Sequence, residues 1–149
     1  MKIHVVCVGS LKFGPLRSLW ETYEKRFMAP LEIHEISSSK TGNKIQEAAL
    51  ILKMLPPQSF VIALDEKGEN LPTKSFSDLL EKHQILGTKH MCFIIGGADG
   101  LDPSVRDKAD KVISFGAQTW PHDFVRVLLI EQLYRAQQIL SGHPYHRGS

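Results

Sequence analysis

The sequence predicts an α/β protein: a mainly parallel sheet with helices on both faces. Three observations lead there. Apolar runs of strand length alternate along the 149 residues with longer amphipathic stretches, the pattern of strand–helix–strand units. Two of the runs, Phe60-Val61-Ile62-Ala63-Leu64 and Met91-Cys92-Phe93-Ile94-Ile95, lack polar alternation, as strands covered on both faces should. Glycine gathers after the strand-like runs, where backbone must turn or approach a ligand closely.

Taken in order, Ile3–Val8 reads as the first strand and stops at Gly9. Pro15–Phe27 reads as a helix, and Leu31–Ile36 as the second strand. A polar loop from Ser37 leads to a helix over Lys44–Leu55, preceded by Thr41-Gly42-Asn43. Pro56-Pro57 ends that helix because proline cannot continue its hydrogen-bond ladder. Phe60–Leu64 is the third strand. Ser75-Phe76-Ser77-Asp78 offers hydroxyl and carboxylate caps to a helix over Ser75–Leu86. Met91–Ile95 is the fourth strand, followed by a short helix near Pro103–Ala109 and a short fifth strand at Lys111–Ser114. The last helix spans Pro121–Leu140, with Thr119 as its expected N-cap and Gly142 and Pro144 as its stop. With no repeat, low-complexity stretch or linker, residues 1–149 read as a single domain.

Hydrophobic content of 42% and charged content of 23% are those of a soluble globular protein. A net charge of +2 excludes a protein that works through bulk positive charge, so a nucleic-acid partner must be met by a focused site. Cys7 and Cys92 lie inside apolar runs and read as reduced core residues. The first apolar stretch is too short for a signal sequence or a membrane span, so a cytoplasmic protein is expected, with no membrane partner.

In open α/β sheets ligands bind beyond the carboxyl ends of the strands. That rule selects Gly9–Gly14, Ser37–Asn43, Asp65–Leu71, Gly96–Leu101 and Phe115–Trp120. The run Gly96-Gly97-Ala98-Asp99-Gly100 is not a dinucleotide fingerprint, and there is neither a Walker A sequence nor a carboxylate cluster for Mg²⁺. Phe115-Gly116-Ala117-Gln118-Thr119-Trp120 mixes small residues with rings and suits a backbone cradle around a flat heterocycle. Phe124–Ile130 holds six apolar residues and one arginine, too apolar for a helix with one buried stripe, so a homodimer is expected. The chain closes on His143, Tyr145, His146 and Arg147, a density of rings and donors that suits a site-lining role. No CxxC or Cys/His spacing suggests zinc, and the two tail histidines lack a third ligand, so no metal is expected. His4, His34, His83 and His90 form no constellation in the sequence.

Five motifs now stand in one order: Ala63-Leu64-Asp65 with Gly68; Ile94-Ile95-Gly96-Gly97-Ala98-Asp99-Gly100-Leu101; Thr119-Trp120-Pro121-His122; Val125-Arg126-Val127-Leu128-Leu129 with Glu131-Gln132-Leu133-Tyr134-Arg135-Ala136; and Gly142-His143-Pro144-Tyr145-His146-Arg147. In them the chain, from Met1 to Arg147, resembles the RlmH family, small SPOUT-class methyltransferases that modify pseudouridine in bacterial large-subunit (23S) ribosomal RNA. The resemblance implies a SPOUT α/β fold with a C-terminal trefoil knot, a feature that general topology rules treat as nearly absent. It also implies a homodimer with active sites at the interface, S-adenosylmethionine as cofactor, and pseudouridine N3 within the ribosome as acceptor. By position, Leu64, Gly96, Phe115, Gly116, Ala117, Gln118, Thr119 and Trp120 would hold the cofactor. Arg126 or Arg135, with His143, Tyr145, His146 and Arg147, would shape the acceptor pocket, His146 being the group suited to proton transfer. Gly148-Ser149 departs from the family's usual ending. Two other functions are compatible with the motifs: a transfer-RNA methyltransferase of the same fold, and a ribosome-associated RNA-binding factor without catalysis.

Overall fold

The computed structural model describes residues 1–37 and 43–148. Its elements are β1 (Lys2–Val8), α1 (Pro15–Arg26), β2 (Leu31–Ile36), α2 (Lys44–Met54), β3 (Phe60–Asn70), α3 (Thr73–Ile85), β4 (His90–Ile95), α4 (Pro103–Lys108), β5 (Lys111–Ser114) and α5 (His122–Leu140). The strands form one sheet in the order β2-β1-β4-β3-β5, and the pairs are parallel.

The two-residue period of each strand sorts its side chains between two cores. Ile3, Val5 and Cys7 of β1, Ile62 and Leu64 of β3, and Met91, Phe93 and Ile95 of β4 face α1, α3 and α5. Val6 and Val8, Val61 and Ala63, and Cys92 and Ile94 face the other way, onto α2 and α4. Both faces are therefore apolar, and the uninterrupted runs of β3 and β4 follow from that. Cys7 and Cys92 are free and buried, as expected; burial pushes the Cys7 thiol up to about 11, so it stays protonated. Among the described residues no helix is long and apolar enough to cross a membrane.

Local chemistry sets the helix ends. Asn43 caps α2 by accepting from the Ile45 and Gln46 amides at 2.9 and 3.4 Å. Asp102 does the same for α4 through Ser104. Gly142 takes φ 75° just past α5, the left-handed stop that glycine adopts without steric penalty.

Three expectations are corrected. α3 begins at Thr73 behind Pro72 and has no side-chain cap, so the Ser75–Asp78 run lies inside the first turns. α5 begins at His122 with Pro121 at its N-cap; Thr119 is drawn instead to Glu66, to which its hydroxyl donates. β3 does not stop at Leu64. It continues to Asn70 with a register shift, so that Ile113 of β5 pairs with both Leu64 and Glu69. Residues 65–68 bow around Ile113, and a Cβ on Gly68 would lie 2.7 Å from the Ile113 backbone nitrogen and carbonyl carbon. Glycine is required here by the close passage of two chain segments. Most of the Ser37–Asn43 loop, and Ser149, lie outside the described residues.

Candidate active site

The carboxyl ends of β3, β4 and β5 and the start of α5 enclose a cleft of about 800 Å³. That is ample for a nucleoside-sized ligand. Of the five loops chosen by the strand-end rule, three line it: residues 65–67, 96–101 and 115–120. Gly9–Gly14 does not, because it is turned toward β2, where the Leu11 amide donates to Glu35 at 3.1 Å.

Each wall has a local cause. Gly96 leaves β4 into a tight turn closed by the Gly100 amide on the Gly97 carbonyl at 3.0 Å. A Cβ on Gly96 would meet the Gly100 carbonyl oxygen and a Leu101 methyl, both at 2.9 Å, so bare backbone faces the cleft. Opposite, Gly116 takes φ 98°, and the Trp120 indole N–H donates to the Phe115 carbonyl at 3.2 Å. Together they fold residues 115–120 into a closed cradle. Asp65 accepts from the Lys67 amide at 2.9 Å and from Arg106 at 3.2 Å, which fixes the third wall.

Leu64, Gly96, Phe115, Gly116, Gln118, Thr119 and Trp120 all line this cleft; Ala117 sits in the cradle without lining it. Sequence reasoning did not single out Arg106 and His122, which line it too. His122 stood within the Thr119–His122 motif, whereas Arg106 comes from the short α4 and had no signal.

The residues expected to serve the acceptor lie elsewhere in the chain. Arg126 is buried on the α1 side of α5, its Nη1 2.8 Å from Glu35 Oε2 and its guanidinium 4.9 Å from the centre of the Trp20 ring. Burial pushes the Glu35 carboxyl up, but the hydrogen bonds from Arg126 and the Leu11 amide and the nearby positive charge hold it below its ordinary value overall. Arg126 therefore acts within the fold, tying α5 to β2.

The tail folds back onto its own helix. Arg135 donates to Glu131 at 2.6 and 2.9 Å and lies 4.7 Å from the centre of the Tyr145 ring. The Tyr145 hydroxyl donates to Glu131 at 3.3 Å, and its ring meets Tyr134 edge-on. A hydrogen bond with Tyr23, then burial and the Glu131 charge, raise the Tyr145 phenol above its ordinary value, so it remains a donor. His146 Nδ1 stands 3.2 Å from Arg135 Nη1. Since a guanidinium only donates, Nδ1 accepts and the ring proton sits on Nε2, a buried atom with no partner among the described residues. Arg147 is exposed. Glu131 lies six residues, or ~9 Å of helix rise, beyond Val125, the last residue of α5 to line the cleft, and no described tail residue lines it. One chain thus does not bring the tail and the cleft loops together.

A model of the SPOUT methyltransferase family, described as "Predicted SPOUT methyltransferase", matches residues 1–146. The chain is 46% identical over 159 aligned residues to ribosomal RNA large subunit methyltransferase H of Bradyrhizobium diazoefficiens, and 43% identical over 155 to that of Ruegeria pomeroyi. Each alignment covers 99% of both chains. Among solved structures it resembles the SpoU methyltransferase AviRb of Streptomyces viridochromogenes in complex with AdoMet (TM-score 0.52, 13% identity, 93% of this chain and 58% of that one). It also resembles the tRNA (m1G37) methyltransferase of Aquifex aeolicus (TM-score 0.57, 16% identity, 100% and 76%). These likenesses establish the SPOUT α/β-knot fold. The chain is a member of the RlmH family of SPOUT methyltransferases.

Proposed function

We infer that this protein transfers the methyl group of S-adenosylmethionine to N3 of a pseudouridine in large-subunit ribosomal RNA. The observation that carries the inference is the full-length identity of 46% to a ribosomal RNA large subunit methyltransferase H, spanning the cleft loops and the tail. The cleft supports it chemically. Its walls present glycine backbone and the Phe115–Trp120 cradle to a flat heterocycle, and the Glu66 and Asp99 carboxylates line it beside Lys44, Lys67 and the Asp65–Arg106 pair.

Methyl transfer from sulfur to nitrogen is an in-line displacement: the N–C bond forms as the S–C bond breaks, and the sulfonium leaves as a neutral thioether. Holding the reacting atoms ~3–3.5 Å apart in line supplies several kcal/mol. The acceptor is an imide N–H. If it ionises 2–3 pH units above the medium, deprotonation costs roughly 3–4 kcal/mol, which a nearby cation lowers. In this proposal Arg135, Tyr145, His146 and Arg147 of one protomer serve that role beside its partner's cleft, since none of them lines its own. The half-exposed Trp120 (41%) and Phe124 (44%) at the start of α5 support a homodimer that buries them. Arg126 is a positioning residue. His146 enters as an Nε2–H donor and becomes a base only once its bond to Arg135 opens. The whole chain acts as one catalytic domain on cytoplasmic ribosomes, with neither membrane nor metal in the reaction.

The test is transfer of radiolabel from S-adenosylmethionine to ribosomes of a strain lacking this gene, followed by nucleoside mapping. Label on pseudouridine N3 of large-subunit RNA is expected. Label on transfer RNA would replace the substrate assignment, and cofactor binding without label on any RNA would overturn it. Absence of cofactor binding would favour a non-catalytic factor.

A further inference from the structure

At the amino end of the sheet, opposite the cleft, the strand register gathers side chains that are far apart in sequence. His34 and His90 stand thirty and eighty-six residues from His4. Parallel pairing places His4 beside Glu32, Val6 beside His34 and Lys2 beside His90. The two-residue period then turns Lys2, His4, Glu32, His34 and His90 to one face. This corrects the expectation that these histidines form no constellation.

The distances fit the ligands of one ion as well as they fit hydrogen bonds. Two donors about 2.1 Å from a tetrahedral ion stand roughly 3.4 Å apart. His4 Nδ1 and His34 Nε2 are 3.2 Å apart, and His34 Nε2 and Glu32 Oε1 are 3.4 Å apart. All three ligand atoms lie within 4.8 Å of one another. A single Nε2 has one in-plane direction for a bond and cannot direct a hydrogen bond at both neighbours; a cation between the three satisfies all of them.

The surroundings orient the same atoms. His4 Nε2 lies 3.0 Å from His90 Nδ1. When it donates there, the lone pair on His4 Nδ1 is left facing the site. Lys2 holds Glu32 Oε2, so Oε1 stays available. His4 is 3% exposed, and burial, followed by the charges of His90 and His34, lowers its pKa despite the opposing pull of Glu32. The Glu32 side chain is 44% exposed, which gives solvent access for a fourth, water ligand.

We propose that His4, His34 and Glu32 bind a divalent ion of the zinc type, with His90 and Lys2 orienting the ligands. Nitrogen ligands with one carboxylate suit Zn²⁺ better than Mg²⁺ or Ca²⁺, which take oxygen. Gly96, at the cleft, is six residues along β4 from His90, or ~20 Å. The ion thus ties β1 to β2, with β4 braced against them through His90, and takes no part in methyl transfer.

The experiment is calorimetric titration of zinc chloride into the full-length protein, freed of metal by chelation, near neutral pH. Saturable binding of one ion per chain is expected, with a rise in melting temperature. Glu32→Gln and His34→Gln should each weaken binding by at least ~10-fold, and His90→Phe by ~10–100-fold. No saturable binding overturns the proposal. So does binding that survives in both Glu32→Gln and His34→Gln, which would send zinc to other groups such as the tail histidines. Glu32 is exposed enough for its variant to fold, so that variant decides the matter if His34→Gln does not.

Discussion

Gly68→Ala tests the crowding between β3 and β5. The added Cβ would stand 2.7 Å from the Ile113 nitrogen and carbonyl carbon and 2.8 Å from its Cα. Ordinary carbon contacts begin near ~3.5 Å, so the segments must separate by roughly 0.8 Å. Over-packing of this kind costs about 1–3 kcal/mol. Here the obstacle is backbone held by ladder pairs at Leu64 and Glu69, with no side chain to rotate away, which puts the strain at about 2–3 kcal/mol. Because φ at Gly68 is not in the left-handed region, alanine also recovers about 0.4–1 kcal/mol by restricting the unfolded chain. The net loss is roughly 1–2.6 kcal/mol, which lowers the urea midpoint by about 0.5–1.3 M at an m-value of about 2 kcal/mol/M. Urea unfolding followed by tryptophan fluorescence measures it. An unchanged or raised midpoint would show that the unfolded-chain gain prevails and that the two segments are not locked together.

Three further outcomes follow from the same geometry. Gly96→Ala drives a methyl into the Gly100 carbonyl, which should cost about 1–3 kcal/mol of stability and weaken S-adenosylmethionine binding of the folded protein at least ~10-fold by calorimetry; unchanged affinity would remove this turn from the site. Deleting residues 145–149 should abolish transfer to ribosomes while cofactor affinity is kept, and retained transfer would dismiss the tail from the reaction. Glu35 is held below its ordinary value, so its contribution to stability is present above ~pH 4.3 and lost as pH falls through its lower native value. Glu35→Gln should flatten that acid limb of the stability curve; an unaltered limb would mean that the pair with Arg126 contributes nothing.

The strands were legible because their burial on both faces leaves a pattern in the sequence itself. Residues 65–70 were not, since Asp65, Glu66, Lys67 and Gly68 carry the composition of a turn and become strand only through pairing with β5. Thr119 has the chemistry of a cap and lost that place to Pro121 because Glu66 offered it a partner from another strand. The loops that line the cleft followed from the strand-end rule, which also chose Gly9–Gly14. What excluded that loop was the bond from Leu11 to Glu35, invisible without the register. The knot came from family resemblance alone, as local propensities carry no record of which segment passes which. The histidine cluster is the extreme case: no spacing within the chain hints at it, and only the alignment of β1, β2 and β4 assembles it.

The strand order has a consequence for how the protein comes into being. β4 lies between β1 and β3, so everything made before it is two unjoined pieces: the β1–β2 pair, and β3 without a neighbour. At ~5–20 residues per second, roughly 1.5–6 s of synthesis separate the apolar Phe60–Leu64 run from the end of β4. Nor can the cleft exist before β5 and the start of α5 emerge, since they form one of its walls. The apolar third strand of a nascent chain is therefore open to aggregation until the fourth arrives, and substitutions in His90–Ile95 should depress yield in the cell more than their effect on the finished fold would suggest.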